Sequence, residues 1–188
     1  FSHDRIQEAA YNTVSADERC LVHVLYGMKL ASLSARESDD SILLTAANQL
    51  NLGGPNAFQD TSQSITVAAL NLRAGKKAME MSDYGAAYSY FHNGMSFLRE
   101  GHWQEHYDLS LQLFELAAKC ALANGDFASL KLCSEQVVTE ARCFEDGLNV
   151  MYFATCALAY ALRLPDSIQQ SLDILTKLGI NLRQSRST

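Results

Sequence analysis

Apolar residues recur three and four positions apart through almost the whole chain, and only two prolines, Pro55 and Pro165, interrupt it. That spacing puts apolar side chains on one face of a helix, whereas a half-buried strand would alternate, and no sustained alternation occurs. The expected class is all-α. The pattern predicts a first helix over residues 4–14, with Ile6, Ala9, Ala10 and Val14 on one face. Ser15 and Glu18 have the spacing of a capping box, in which each side chain can satisfy a backbone donor, so a second helix starts there and carries Leu21, Val24, Leu25 and Met28. A third, from Asp39, carries Ile42, Leu43, Ala46, Ala47 and Leu50 and stops at Gly53, Gly54 and Pro55. Six further stretches follow, over 64–81, 84–99, 104–123, 127–142, 146–163 and 166–178, and the very short turns between them make sequential helices antiparallel neighbours. Pro165 suits the first turn of the last helix, where its missing N–H has no intrahelical partner, and Gly179 suits the stop.

Fifteen basic residues against twenty-one acidic ones give a formal charge of −6, and no stretch gathers Lys and Arg into the patch that a phosphate backbone requires. Nucleic acid is therefore not an expected partner. No apolar run approaches the roughly 20 residues that span a bilayer, and the N-terminus lacks a basic-then-apolar signal segment, so no membrane association is expected. Cys20, Cys120, Cys133, Cys143 and Cys156 are odd in number, lack close pairing and sit in helical patterns among alanine and leucine. They read as reduced thiols used as small apolar fillers, which implies a cytoplasmic setting. The chain opens on Phe1 and runs out in a polar tail from Asn181 to Thr188, as an excised piece of a longer protein would.

A repeat lies inside the helices. The turn Ser82-Asp83-Tyr84 is answered 43 residues later by Gly125-Asp126-Phe127, and Ala87 by Leu130. In the first unit Gly75 and Ala78 on the leading helix face Ala87 and Phe91 on the following one; this resembles the tetratricopeptide pattern, in which small residues let two helices approach and an aromatic fills the gap. The second unit repeats it with Ala118, Ala121 and Phe127, but Ser134 stands where the first has Phe91. A third unit, near Ala159 to Leu172, is degenerate, and the spacing exceeds the usual ~34 residues of that repeat. The expected architecture is a tetratricopeptide-like superhelix of stacked antiparallel pairs with lengthened helices. In such a stack each unit contacts its neighbours and leaves a concave groove. The groove positions expected to bind protein are Ala69, Leu72, Lys76 and Met79 in the first unit and Gln112, Glu115 and Lys119 in the second. Repeats that clamp a C-terminal carboxylate carry Lys and Asn at several such places; most are absent here, so a chaperone tail is not the expected ligand.

His102, Glu105 and His106 have the inverted zinc-protease spacing, which on a rigid helix puts two imidazoles and a carboxylate on one face. Here the motif falls in a first turn after Gly101, where frayed backbone holds ligands poorly, and Trp103 and Tyr107 give that turn a packing role. No metal site is expected, and a zinc hydrolase is a remote alternative. No glycine-rich phosphate loop, nucleophile motif or paired-aspartate arrangement occurs elsewhere, so no catalytic residue is assigned. His23 and His92 are lone histidines on helices, expected to be solvated or packed.

The run Phe1-Ser2-His3-Asp4-Arg5-Ile6-Gln7-Glu8-Ala9-Ala10-Tyr11 resembles the segment that closes the ATPase module in large signalling proteins. Those chains combine a protein-kinase-like region, an AAA or STAND-type ATPase, a helical-repeat region, a GAF domain and a histidine kinase. The resemblance continues through Leu70 to Ala78, Tyr84 to Tyr90, Trp103 with Tyr107, and Leu178-Gly179-Ile180, and so covers nearly the whole chain. It implies that residues 1–53 are the last helices of an ATPase module and a linker, that 64–182 are tetratricopeptide-like repeats, and that 183–188 are a tail. It further implies a non-catalytic regulatory segment that relays or senses between the ATPase and output modules; a free-standing repeat scaffold is the alternative. In related STAND ATPases a Met-His-Asp motif touches the β-phosphate of ADP. His3 and Asp4 match its last two residues and Ser2 replaces the methionine, so His3 either senses nucleotide in the parent protein or starts a helix. ATP or ADP and magnesium belong to the parent; no cofactor is expected in this chain, and its expected partners are the ATPase and output domains of the same polypeptide.

Overall fold

The computed structural model describes residue 5, residues 13–36 and residues 39–180. Most of the helix expected over 4–14, the pair His3 and Asp4, and the tail 183–188 lie outside the described residues. Among the described residues the chain forms nine α-helices and two 3₁₀ turns, with no strand. The all-α class is as expected. The chain divides into two compact units, one up to Leu109 and one from Ser110.

In the first unit α1 (Ala16–Ser34) opens on the expected capping box. The Glu18 N–H donates to Ser15 Oγ at 3.3 Å and the Ser15 N–H to Glu18 Oε2 at 3.2 Å. Helix α2 (Asp40–Gly53) is capped by Asp39, which accepts from the Ser41 N–H at 2.8 Å. The two helices meet through glycine: a Cβ built on Gly27 would stand 2.7 Å from Leu50 Cγ, and one on Gly53 2.6 Å from Val24 Cγ2. Only a missing side chain permits that approach. Helix α3 (Thr61–Glu80) joins α2 through a reciprocal amide pair in which each Nδ2 of Asn51 and Asn71 donates to the other's Oδ1 at 2.9 Å. Asn71 is fully buried and also donates to the Val67 carbonyl, so its polar groups are matched rather than stranded.

The Gly53-Gly54-Pro55 step, where the third helix is expected to stop, is a turn within this first unit. Phe58 beyond it is buried and meets Phe97 edge-on at 5.6 Å. The Arg99 guanidinium donates to the carbonyls of Pro55 and Phe58 and to Ser64 Oγ, tying the whole connection to the end of α4 (Tyr84–Ser96). A short α5 (His102–Glu105) follows.

The helix expected over 104–123 is broken. His106 has φ −131° and ψ 45°, and α6 starts afresh at Tyr107 and runs to Ala123. No glycine or proline marks the break, and the apolar spacing runs through it. The second unit holds most of α6, then α7 (Phe127–Glu140), a 3₁₀ turn at Glu145–Gly147, α8 (Leu148–Tyr160) and α9 (Leu164–Lys177).

The pairs α3–α4, α6–α7 and α8–α9 share one turn. Ser82, Gly125 and Leu162 all take positive φ, at 61°, 73° and 58°. One residue later Asp83, Asp126 and Arg163 donate their N–H groups to the carbonyls of Ala78, Ala121 and Leu158 at 3.0, 2.9 and 2.9 Å. This is the Schellman ending, which satisfies carbonyls that the helix leaves open. Asp83 and Asp126 then cap the next helix by accepting from Ala86 and Ser129. The register expected from the sequence is thus repeated in the backbone, and the third pair, degenerate in sequence, has the same turn.

The first pair closes as expected. Gly75, Ala78, Ala87 and Phe91 are all buried, and a Cβ on Gly75 would lie 2.4 Å from Phe91 Cε1. The second pair differs: Ala118 and Ala121 are buried, but Phe127, expected among them, is 44% exposed. None of the cysteines is in a disulfide. Cys120 and Cys133 are buried fillers, whereas Cys143 is exposed and fills nothing, a departure from expectation.

Candidate interaction surfaces

Of the expected groove residues on α3, Lys76 is exposed, Ala69 and Met79 are half-buried, and Leu72 is buried. Leu72 therefore takes no part in an open surface. The reason lies in α3 itself, which buries Val67, Ala68, Leu70, Asn71, Leu72, Ala74, Gly75 and Ala78. A helix enclosed over so much of its circumference leaves a narrower open strip than a one-sided stripe implies. Ala69 instead borders a hollow of about 380 Å³ formed with Met28, Ala31, Ala35, Leu50 and Arg73 from α1, α2 and α3. The hollow is apolar with one guanidinium beside it, chemistry that suits an apolar side chain near a carboxylate.

Neighbouring Lys77, not singled out from the sequence, does the electrostatic work on α3. Its Nζ stands 2.8 Å from Asp40 Oδ2 on α2 and 2.9 Å from Glu80 Oε2. Donating hydrogen bonds to these two carboxylates holds its ammonium well above the usual lysine range. On α6, Gln112 and Glu115 are half-buried and Lys119 is exposed. Glu115 Oε1 accepts from Asn149 Nδ2 at the start of α8, so this carboxylate fastens two helices of the second unit.

A second depression, about 480 Å³, opens in the second unit. It is lined by α7 through Phe127, Leu130 and Ser134, by α8 through Ala157 and Leu158, and by Gln170 of α9. Ser134 was legible only as the place where the repeat lacks its aromatic.

The inverted zinc spacing straddles a break: Glu105 ends α5 and His106 leaves helical φ and ψ, so the three residues do not lie on one continuous helix. Trp103 is buried and meets Tyr107 edge-on at 5.9 Å, which is the packing role expected of it. No group of three or more His, Cys, Asp or Glu among the described residues is placed to hold a metal. His23 Nδ1 lies 2.7 Å from Gln49 Oε1, a packed polar contact between α1 and α2, and His92 stacks on Tyr88. No described helix is long and apolar enough to cross a membrane.

Among the described residues the fold is all-helical, built of tightly turned helix pairs with apolar depressions on them. The chain is similar to a segment of Hybrid signal transduction histidine kinase G of Dictyostelium discoideum. It is 24% identical over 206 residues, which take in 97% of this chain and 6% of that protein. The chain thus spans a small fraction of its relative's length. No family model matches it, and no solved structure does.

Proposed function

We propose that this chain is a non-catalytic helical-repeat segment of a signal-transduction protein, relaying or sensing between a nucleotide-binding ATPase and an output module such as a histidine kinase. The observation that carries the reading is the similarity to a hybrid signal transduction histidine kinase, which extends over 97% of this chain. The Schellman turn recurring at Ser82, Gly125 and Leu162 supports a repeat, and in this reading the pairs stack as a tetratricopeptide-like superhelix. Its partners are proteins, the ATPase and output domains of the same polypeptide, and its setting is the cytoplasm. The exposure of Lys76 on α3 and of Lys119 on α6 supports a place for each on the binding face of its own unit; Ala69 and Met79 belong with the first, and Gln112 and Glu115 with the second. His3 and Asp4 keep the nucleotide-sensing role that their resemblance implies, with ATP or ADP and magnesium held by the parent ATPase.

The test is output phosphorylation in the full-length protein. Reversing charge at Lys76→Glu and Lys119→Glu is expected to change basal phosphorylation severalfold while the chain stays folded by circular dichroism. Phosphorylation unchanged in rate and in nucleotide dependence would sink the proposal.

A further inference from the structure

We infer that the apolar side of α9 is the seat for the leading helix of a further pair of the same repeat, carried by the polypeptide beyond Thr188. The inference deepens the repeat reading above and rests on it.

Helix α9 has three sides of different chemistry. One enters the unit, where buried Ser167 donates from Oγ to the Thr155 carbonyl of α8 at 3.1 Å. A second is polar: Asp166 accepts from Arg163 at 2.7 Å and Asp173 from Gln169 at 2.8 Å. The third runs through Leu164, Ile168, Leu172 and Leu175, whose spacing puts all four on one helical stripe. Leu164 is 54% and Ile168 60% exposed, and Leu172 and Leu175 are half-buried.

The chain's own register says which neighbour fits that stripe. Leu162 stands 37 residues after Gly125 at the shared turn, so the four α9 residues answer Phe127, Lys131, Glu135 and Val138 of α7. Those α7 residues face α8, which packs directly on α7. Phe127, Lys131 and Glu135 border one depression with Ala154 and Ala157, and Glu135 and Val138 border another with Val150 and Met151. The stripe of α9 is thus the side on which, one pair earlier, the trailing helix receives the leading helix of the next pair. There the seat includes a lysine and a glutamate. On α9 isoleucine and leucine replace them, so the open seat is the more apolar of the two.

The exit of the chain points the same way. Gly179 takes φ 79°, and the Ile180 N–H donates to the Leu175 carbonyl at 2.9 Å. This is the Schellman turn of Ser82, Gly125 and Leu162, each of which leads into an antiparallel helix. The trailing helix α7 ends differently, with Ala141 at φ −57° and ψ 131°.

Residues 181–188 hold one apolar side chain, Leu182, too few to cover a stripe of four. The pair is not built as a terminus either, because the last repeat of a stack needs a polar outer face. Helix α8 carries no charged residue, and its Tyr152 and Tyr160 are 62% and 69% exposed. The third pair has the surface of an interior one.

The experiment compares hydrogen exchange of α9 in the 188-residue chain and in the full-length protein. Amides of α9 are expected to exchange about tenfold or more slowly in the full-length protein, and the roughly 40 residues of a further pair after Thr188 are expected to be protected as helices. Ile168→Glu is expected to leave the urea midpoint of the 188-residue chain unchanged and, in the full-length protein, to return α9 to the rate of the short chain; Ile168→Leu is expected to keep the protection. The inference is overturned by equal α9 rates in the two proteins, by protection that survives Ile168→Glu, or by an unprotected segment after Thr188. It is also overturned by dimerisation of the 188-residue chain that Ile168→Glu abolishes, which makes a second copy the occupant. If it fails while Lys76→Glu and Lys119→Glu still alter phosphorylation, the longer stack is discarded and the relay reading stands.

Discussion

Replacing Gly75 by alanine sets two effects of known sign against each other. In an open helix interior the exchange stabilises by about 1 kcal/mol, because glycine is the more costly residue to order. At Gly75 the added methyl would lie 2.4 Å from Phe91 Cε1 and 2.7 Å from Cδ1 and Cζ, against ordinary carbon contacts of about 3.5–4.0 Å. The ring must move by about an ångström, and it is fully buried, with no solvent to move into. Overpacking of this kind costs about 1–3 kcal/mol. The cost outweighs the gain over most of that range, and a net loss of up to about 2 kcal/mol is expected after the ~1 kcal/mol helical gain. Trp103 belongs to the same compact unit, so its fluorescence in urea follows the unfolding that matters. Phe91→Leu supplies the control: with the ring gone, Gly75→Ala is expected to turn neutral or stabilising, a coupling of about 1 kcal/mol or more between the two sites. Stabilisation by the full helical increment in the parent background would refute the close approach of α3 and α4.

Ser82→Gly and Leu162→Gly each relieve a non-glycine residue at positive φ and are expected to raise stability by about 0.5–1 kcal/mol in urea titrations. Asn71→Leu strands the Asn51 amide and is expected to cost about 2–3 kcal/mol, part of which the double substitution with Asn51→Leu recovers. Burial pushes the thiols of Cys120 and Cys133 up from 9.0 to about 11. The native state keeps these protons where the unfolded chain has lost them, so the stability they contribute is complete below about pH 9 and is lost as pH climbs to about 11. With a thiol reagent at pH 8, exposed Cys143 is expected to react while Cys120 and Cys133 react only on unfolding. Calorimetry of the chain with ADP or ATP is expected to show no binding; micromolar ADP affinity would place a nucleotide site in this chain, against the proposal.

Helices were legible because their signals are local. Apolar spacing, the Ser15–Glu18 box, and the turns before Asp83 and Asp126 all lie within a few residues, and the small-residue register of Gly75, Ala78 and Ala87 recurs with them. What escaped is tertiary. The Arg99 contacts reach back 35 to 44 residues to Ser64, Phe58 and Pro55, and nothing near Arg99 announces them. Asn51 and Asn71 satisfy each other across two helices, so neither reads as a core residue alone. The break at His106 has no local marker. Leu72 was misplaced on an open face because one stripe was assumed for a helix that packs on several sides. Of the depression in the second unit, only the serine at the aromatic position showed in the sequence; its walls come from α8 and α9, whose alanines and leucines look like any core.

Hydrogen exchange in the full-length protein, with and without ADP, tests the relay most directly. The account predicts that amides of α1 to α4, residues 16–96, change protection when nucleotide binds, because a segment that carries the signal must differ between the two states. Identical exchange across these helices, with ADP demonstrably bound, would contradict it.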